Sequence, residues 1–161
     1  MKWRLKSKDP YIRLGLNEPP TATGKPAPKP SPLTANIDDP VVAISINRQY
    51  PRAKNADDLY QATRSMWRVN RDRADRARYA FAVYQGEIKE VYEIKRWLPA
   101  TEATRRYWRE RENLQGDDFH ETHDGRSEFI GDVAPEAIRK KYVGKRMPVR
   151  HSQNPIRYFN C

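Results

Sequence analysis

The chain has 161 residues, of which 31 are Lys or Arg and 21 are Asp or Glu, so its formal net charge is +10. This length accommodates one domain, and 13 prolines with 37% hydrophobic residues predict a folded part of about 110 to 125 residues plus a tail. The positive charge favours a polyanionic partner, because binding a phosphate backbone releases counterions. The single cysteine, Cys161, excludes an internal disulfide and a cysteine-based zinc site.

The N-terminal part of the chain predicts neither a membrane span nor a signal peptide. The longest apolar stretch is too short to cross a bilayer, and MKWRLKSKDP lacks the apolar core of a signal peptide. We therefore expect a soluble, cytoplasmic protein without a membrane contact. Residues 1–16 are predicted to be a basic N-terminal segment, residues 17–37 a proline-rich linker, and residues 38–161 an α+β domain.

The first predicted elements of the domain are a strand and a helix. The apolar run PVVAISIN, residues 40–47, is rich in β-branched side chains and predicts a buried strand. Asn55 precedes two aspartates and predicts the N-cap of a helix from Ala56 to Arg68. From Arg64 to Arg78 there are six arginines against two aspartates, which is typical of a solvated helix face or of a phosphate-contacting surface.

The stretch from Arg78 to Pro99, RYAFAVYQGEIKEVYEIKRWLP, predicts a β-hairpin that turns at Gln85-Gly86. The run before the turn is apolar on both faces, which predicts the central strand of the sheet. In the run after the turn, one face carries Ile88, Tyr92 and Ile94 and the other is largely charged. A strand that is apolar on both faces beside one with a wet face predicts a small, mostly antiparallel, barrel-like sheet.

The remainder of the chain supplies the last predicted helices and strands. In order, it predicts a charged excursion from Thr101 to Gly125 that is helical around Glu102 to Glu112, a strand from Ser127 to Val133, a helix that starts at Pro135 and is capped by Gly144, and a closing strand from Asn154 to Asn160. The expected fold is thus α+β, with two or three helices around the sheet.

Two fragments contain residue types used in catalysis or metal binding. Glu93-Ile94-Lys95 has the E-x-K spacing of nucleases that hold a divalent metal, but the preceding predicted strand offers no aspartate. His120 and His123 lie in a predicted polar loop without a third ligand at a set spacing. No phosphate loop, dinucleotide fingerprint or nucleophile motif occurs. The sequence therefore favours a non-catalytic protein without cofactor or metal, with a metal-dependent nuclease at Glu93 and Lys95 as an alternative.

Aromatic side chains alternate with basic or amide ones at each predicted junction, which is the chemistry of holding an unstacked base. For Trp67 and Trp97 the alternative is a place in the core. The predicted nucleic-acid-binding residues are Asn47, Arg48, Tyr50, Arg64, Trp67, Arg68, Arg71, Arg73, Trp97, Gln153, Asn154 and Arg157.

The series LYQATRSMWRV, YAFAVYQGEIKEVYEIKRWLPA, EFIGDVAPEAIRKKYVGK and QNPIRYFN resembles an accessory domain of bacterial and phage proteins, sometimes found beside nuclease or restriction modules. Its strand order is also similar to the PUA-like barrel superfamily, which includes SRA, ASCH and EVE/YTH domains. The resemblance implies a reader of nucleic acid that holds a modified base. As the partner of this chain we expect DNA rather than RNA. This chain departs from it by lacking a nuclease module and by carrying the charged insertion at residues 101–124.

A protein-binding adaptor or inhibitor, acting in phage or bacterial defence or counter-defence, is the alternative from another class. Its basic surface would dock on an acidic protein, and residues 1–16 beyond the linker would add a second, tethered contact.

Overall fold

The computed structural model describes residues 32–112, 125–148 and 153–161. The predicted basic segment at residues 1–16, the linker up to residue 31 and the loop with His120 and His123 lie outside the described residues. Leu33 and Ala35, at the end of the predicted linker, pair with the backbone of Arg146: the Arg146 N–H donates to Leu33 O at 2.8 Å and the Ala35 N–H donates to Arg146 O at 2.8 Å.

Five strands form a mixed sheet in the order β4-β3-β2-β1-β5. Pairing of β1 with β2 is parallel, and the other three pairings are antiparallel. The α+β class and the central position of the first hairpin strand, β2, are therefore confirmed. The strands are β1 Val41–Ser45, β2 Tyr79–Tyr84, β3 Glu87–Pro99, β4 Ser127–Val133 and β5 Ile156–Phe159.

Four α-helices occur within the described residues, one more than the two or three predicted. The additional helix is α2 in the arginine-rich segment, where Asn70 caps the helix by accepting a hydrogen bond from Arg73 N at 3.2 Å. The first helix ends earlier than predicted, because Ser65 is extended and Met66 has a φ of 70°. The helices are α1 Ala56–Arg64, α2 Arg71–Arg76, α3 Glu102–Glu112 and α4 Glu136–Tyr142, with a 3-10 turn at Tyr50–Arg52.

Both faces of the sheet are covered, in agreement with the apolar character of β2 on either side. On one face, Phe81 packs against Tyr142 of α4, with ring centroids 4.8 Å apart. On the other face, β2 presents Ala80 and Ala82, whose small side chains let α1 and α2 approach the sheet closely. Helix α3 lies beyond α1, where Trp108 joins a third apolar cluster.

The hairpin turns at Gln85-Gly86 as predicted, with φ values of 49° and 78°, the left-handed conformation of tight hairpin turns. A β-bulge then leaves Lys89 without a partner on β2. The bulge reverses the alternation of β3, so Ile88 packs in the α4-side core while Tyr92 packs on the α1 side. The predicted common face for Ile88 and Tyr92 is therefore wrong.

The sheet is open, and its two edges are β4 and β5; closure into the predicted barrel is not observed within the described residues. Side chains of α1 cover the β4 edge instead: Gly131 N donates to the Tyr60 hydroxyl at 3.0 Å, and Arg64 Nε donates to Phe129 O at 3.0 Å. Trp67 and Ser127 exchange two backbone hydrogen bonds. Alternate outward backbone groups of β4 thus have partners without a further strand.

Along the described ranges, no helix combines the length and apolar character that crossing a membrane requires.

Candidate nucleic-acid interface

A cavity of about 510 Å³ opens between the loop that follows β1, the end of α1 and helix α3. Indole, amide, guanidinium and hydroxyl groups line it, and within residues 32–112, 125–148 and 153–161 no carboxylate does. The lining residues are Ser45, Ile46, Asn47, Arg48, Gln49, Ala62, Ser65, Met66, Trp67, Trp108, Arg126, Gln153 and Pro155.

One wall of the cavity is built on a strained backbone. Met66 is buried and has a left-handed φ of 70°, a conformation that costs on the order of 1 kcal/mol for such a residue. Arg126 Nη1 donates to Met66 O at 2.8 Å, and the adjacent Trp67 is bonded to Ser127 through both its N–H and its C=O. These long-range bonds end α1 at this point and turn the chain along the cavity.

Two tryptophans line the cavity, and their N–H groups are bonded within the protein. Trp67 Nε1 donates to Thr63 O at 2.9 Å, one turn back in α1. Trp108 Nε1 donates to Ser65 Oγ at 2.8 Å, and Ser65 Oγ donates in turn to Gln61 O at 2.7 Å. Both N–H groups thus have partners, so these indoles can offer a ligand aromatic contact rather than a hydrogen-bond donor.

The mouth of the cavity is polar. Asn47 Oδ1 accepts a hydrogen bond from Gln85 N at 2.7 Å, which ties the loop after β1 to the hairpin turn. Its Nδ2 makes no hydrogen bond to the rest of the described chain and is available to a ligand. Asn47, Arg48 and Gln153 are all exposed here. The mouth therefore offers amide and guanidinium groups beside the two tryptophans.

Helix α3 is fixed beside α1 by an ion pair: Arg111 Nη2 lies 2.7 Å from Asp58 Oδ1. Asp58 also accepts a hydrogen bond from Lys54 N at 3.1 Å. This backbone N–H and the Arg111 guanidinium hold the pKa of the Asp58 carboxyl below its usual range. The pair sets the position of Trp108 over the cavity.

The structure brings four predicted residues together at the cavity, namely Asn47, Arg48, Trp67 and Gln153. It also adds lining residues that the sequence analysis missed. Trp108 and Arg126 stand in charged surroundings without an apolar period, and Met66 lies inside the predicted helix from Ala56 to Arg68, so no sequence signal distinguished these residues. The missed residues with polar or aromatic side chains are Ser45, Gln49, Ser65, Trp108 and Arg126.

Two predicted arginines and a tryptophan make contacts within the fold and do not line the cavity. Arg64 is directed at β4, where its Nη2 lies 3.4 Å from Glu128 Oε2, and both side chains are largely buried. Trp97 is 5% exposed and packs edge-on to Phe129, so it belongs to the core. Arg73 lies over the Tyr158 ring at 4.5 Å and its Nε donates to Cys161 O at 3.0 Å.

The other predicted residues also lie outside the cavity lining. Tyr50 stacks on Tyr84, and Arg71 donates to Trp97 O at 2.9 Å while pairing with Asp75. Asn154 accepts from Ile156 N at 3.0 Å, which starts β5. The remaining two are Arg68, which is exposed, and Arg157, which is half-buried in β5 and whose pKa is lowered by burial.

The E-x-K fragment lies on the solvated part of β3. Asp132 of β4 stands opposite Glu93 in the register, but its Oδ2 pairs with Lys95 Nζ at 2.8 Å, and Glu93 pairs with Arg78 at 3.6 Å. The Asp132 carboxylate raises the pKa of Lys95. Over residues 32–112, 125–148 and 153–161, no three His, Cys, Asp or Glu side chains come together as metal ligands. These exposed pairs give the nuclease alternative no support.

The fold and cavity define the protein as an α+β domain with an open five-stranded mixed sheet and an aromatic cavity beside its first strand. Comparison of the chain with protein-family models, with curated proteins and with solved structures finds no match.

Proposed function

We propose that the protein is a non-catalytic nucleic-acid-binding module that holds one unstacked base, in particular a modified one, in the cavity beside Trp67 and Trp108. The single observation that carries the proposal is the lining: two tryptophans stand together with amide and guanidinium groups, and none of the described lining residues is a carboxylate. Bases taken out of a stack are held by aromatic rings and read at their edges by such donors and acceptors.

The size of the cavity agrees with this use. A volume of about 510 Å³ falls within the range of protein sites for small ligands. It leaves room for a base together with a substituent or part of its sugar. Because the Asn47 oxygen is bonded to the hairpin turn, its Nδ2 is the group that would donate to an acceptor on the base edge.

The charge of the chain supports a nucleic-acid partner. The net charge is +10. Arg48 is exposed at the cavity mouth, and Arg68, the residue directly after Trp67, is exposed as well. In this proposal these arginines contact phosphates and supply affinity independent of sequence, while the cavity supplies discrimination. DNA rather than RNA as the ligand, and the kinship to the PUA-like superfamily that the sequence resemblance implies, belong to the same proposal.

The test is a titration of matched single-stranded oligonucleotides, with a plain or a modified central base, against two Asn-to-Asp variants. Asn47→Asp keeps the acceptor for Gln85 N but replaces the Nδ2 donor by a negative charge. We expect its affinity to fall about ten-fold or more. Asn70→Asp is the control, since Asn70 is also exposed and its Oδ1 also accepts a backbone N–H.

The control is expected to change affinity by less than about two-fold, because an aspartate N-cap is equally good and the site lies outside the cavity. Equal losses in both variants would mean that general charge, rather than the cavity, determines binding. Failure of the unaltered protein to bind any of the oligonucleotides at moderate salt would overturn the proposal.

A further inference from the structure

A pair of stacked tyrosines lies near the cavity, and one of them, Tyr50, is four residues after the lining residue Ile46. The rings of Tyr50 and Tyr84 have centroids 4.4 Å apart and an interplanar angle of 25°. Tyr50 packs against the apolar cluster on the α1 side, and Tyr84 stacks on Tyr50. Both rings are half-buried, and neither hydroxyl makes a hydrogen bond to another described residue. This pair therefore presents partly exposed ring surface, and its hydroxyl groups have no partner among the described residues.

A lysine accompanies the two rings. Lys89 Nζ lies 5.6 Å from the Tyr50 ring centroid and 6.0 Å from that of Tyr84. Lys89 is the residue that the β-bulge leaves unpaired in the hairpin, so the bulge determines its direction. Its ion pair with Glu87, at 3.4 Å, is partly exposed and leaves the ammonium open to a second anion.

The loop after β1 connects this pair to the cavity. Tyr50 N donates to Ile46 O at 2.8 Å, and Ile46 lines the cavity. Asn47, another lining residue, accepts from the N–H of Gln85, the residue directly after Tyr84. Between these contacts lies the exposed Arg48. The loop after β1 thus carries cavity-lining residues, Arg48 and Tyr50, and Asn47 connects it to the hairpin that carries Tyr84 and Lys89.

We infer that Tyr50, Tyr84 and Lys89 form a second nucleotide subsite, which stacks the base next to the one held in the cavity while Lys89 contacts a phosphate of the same strand. The inference rests on the proposed function and deepens it: the substrate is single-stranded nucleic acid of at least two nucleotides. Aromatic stacking is tolerant of base identity, so this subsite adds affinity without sequence preference.

The experiment compares two single-stranded oligonucleotides of equal length and charge. One carries all its bases, and the other is abasic at the two positions that flank the central base. Since both have the same phosphates, the ratio of their affinities isolates stacking of the neighbouring base. The unaltered protein is expected to prefer the intact strand by about five-fold or more.

The variant Tyr84→Leu is expected to remove this preference, whereas Tyr84→Phe keeps the ring and retains it. Asn47→Asp is expected to weaken both strands alike and leave the ratio unchanged. Lys89→Gln is expected to reduce the slope of log affinity against log salt by about one contact, and Lys140→Gln, an exposed control on α4, is not.

A preference for the intact strand that survives in a folded Tyr84→Leu variant overturns the second subsite and leaves the cavity proposal standing. If Tyr84→Leu does not fold, an unchanged salt slope in Lys89→Gln has the same consequence. Absence of binding by the unaltered protein overturns the proposed function and this inference together.

Discussion

Among the single residues, Arg64 and Glu128 form a buried ion pair, which we expect to stabilise the fold. Glu128 is 1% exposed, and besides the Arg64 guanidinium it accepts a bond from Thr101 N at 3.4 Å. Arg64 also covers Phe129 O at the sheet edge. The pair thus connects α1 to β4. Removing the Arg64 side chain takes the guanidinium partner from both the buried Glu128 carboxylate and the Phe129 carbonyl.

We expect Arg64→Ala to lower the free energy of unfolding by about 3 to 5 kcal/mol, the range for breaking a buried pair from one side. The nearby Arg68→Ala, at an exposed position, is the control and should stay within about 0.5 kcal/mol of the unaltered protein. Urea unfolding measures both. Equal, small effects would show that Arg64 is solvated and free to contact a ligand, as the sequence analysis expected.

The sequence predicts some of the cavity-lining residues but does not distinguish Arg64 from Arg68. Asn47, Arg48 and Trp67 were predicted because they follow a buried strand or end a helix, where side chains gather at one edge. Arg64 and Arg68 look alike in the sequence, four residues apart at the end of one predicted helix. Their difference depends on the early end of α1 at Ser65, which long-range bonds to β4 determine.

At the scale of elements, the loop before β1 is held to α4 by a polar cluster. The hydroxyl of Tyr142 donates to Asp38 Oδ1 at 3.0 Å, and Lys141 pairs with Asp39 at 3.0 Å and with Asp38. Bonds from Lys141 and Tyr142 hold the pKa of Asp38 below its usual range. Burial raises the pKa of Tyr142 to about 12, with the bond to Asp39 acting in the same direction.

This cluster predicts a loss of stability at high pH. The folded state holds the Tyr142 proton more tightly than the unfolded state, in which the pKa is near 10.0. The corresponding stabilisation is complete below about pH 10 and declines as pH rises from there to about 12. Urea unfolding across this interval measures the decline. Tyr142→Phe should show a shallower one, with the remainder due to groups such as Tyr92, whose pKa burial also raises.

Identical slopes for the two proteins would contradict a buried, protonated Tyr142.

Asp38 makes stability depend on pH in the opposite direction at low pH, because its folded pKa is depressed. Its contribution is present above the ordinary carboxyl pKa and is lost as pH falls through the folded value.

Element prediction succeeded where local chemistry decides and failed where distant contacts do. The hairpin was predicted from its β-rich runs around Gln85-Gly86, and α4 from Pro135 and Gly144. The bulge at Lys89 was not predicted, since the sequence alternation continues through it. The bulge places Ile88 and Tyr92 on opposite faces of the sheet, and this depends on how β3 pairs with β2.

For the whole molecule, the parallel pairing of β1 and β2 determines where the cavity forms. Parallel neighbours need a crossover connection, and α1 and α2 provide it on one face of the sheet. The cavity lies where this crossover leaves β1 and where α1 ends. The pattern of apolar and polar residues predicted the α+β class, but the one parallel pairing and the open edges depend on contacts far apart in sequence.

The charge of the whole chain leads to a further expectation, that binding weakens steeply with salt. Each phosphate contact contributes about 0.7 to the negative slope of log affinity against log salt for a single strand. Titrations at several salt concentrations measure the number of contacts. A slope near zero would indicate binding by the cavity alone, without help from the basic surface.

The most direct measurement for the central claim is the site at which a bound base touches the protein. An oligonucleotide with a photoreactive pyrimidine at its central position, cross-linked to the unaltered protein and mapped by mass spectrometry, gives that site. We predict cross-links to Trp67 or Trp108, and their loss on addition of excess unlabelled strand. Cross-links confined to the α2 arginines or to residues 1–31, with none at the cavity, would contradict a base held beside the two tryptophans.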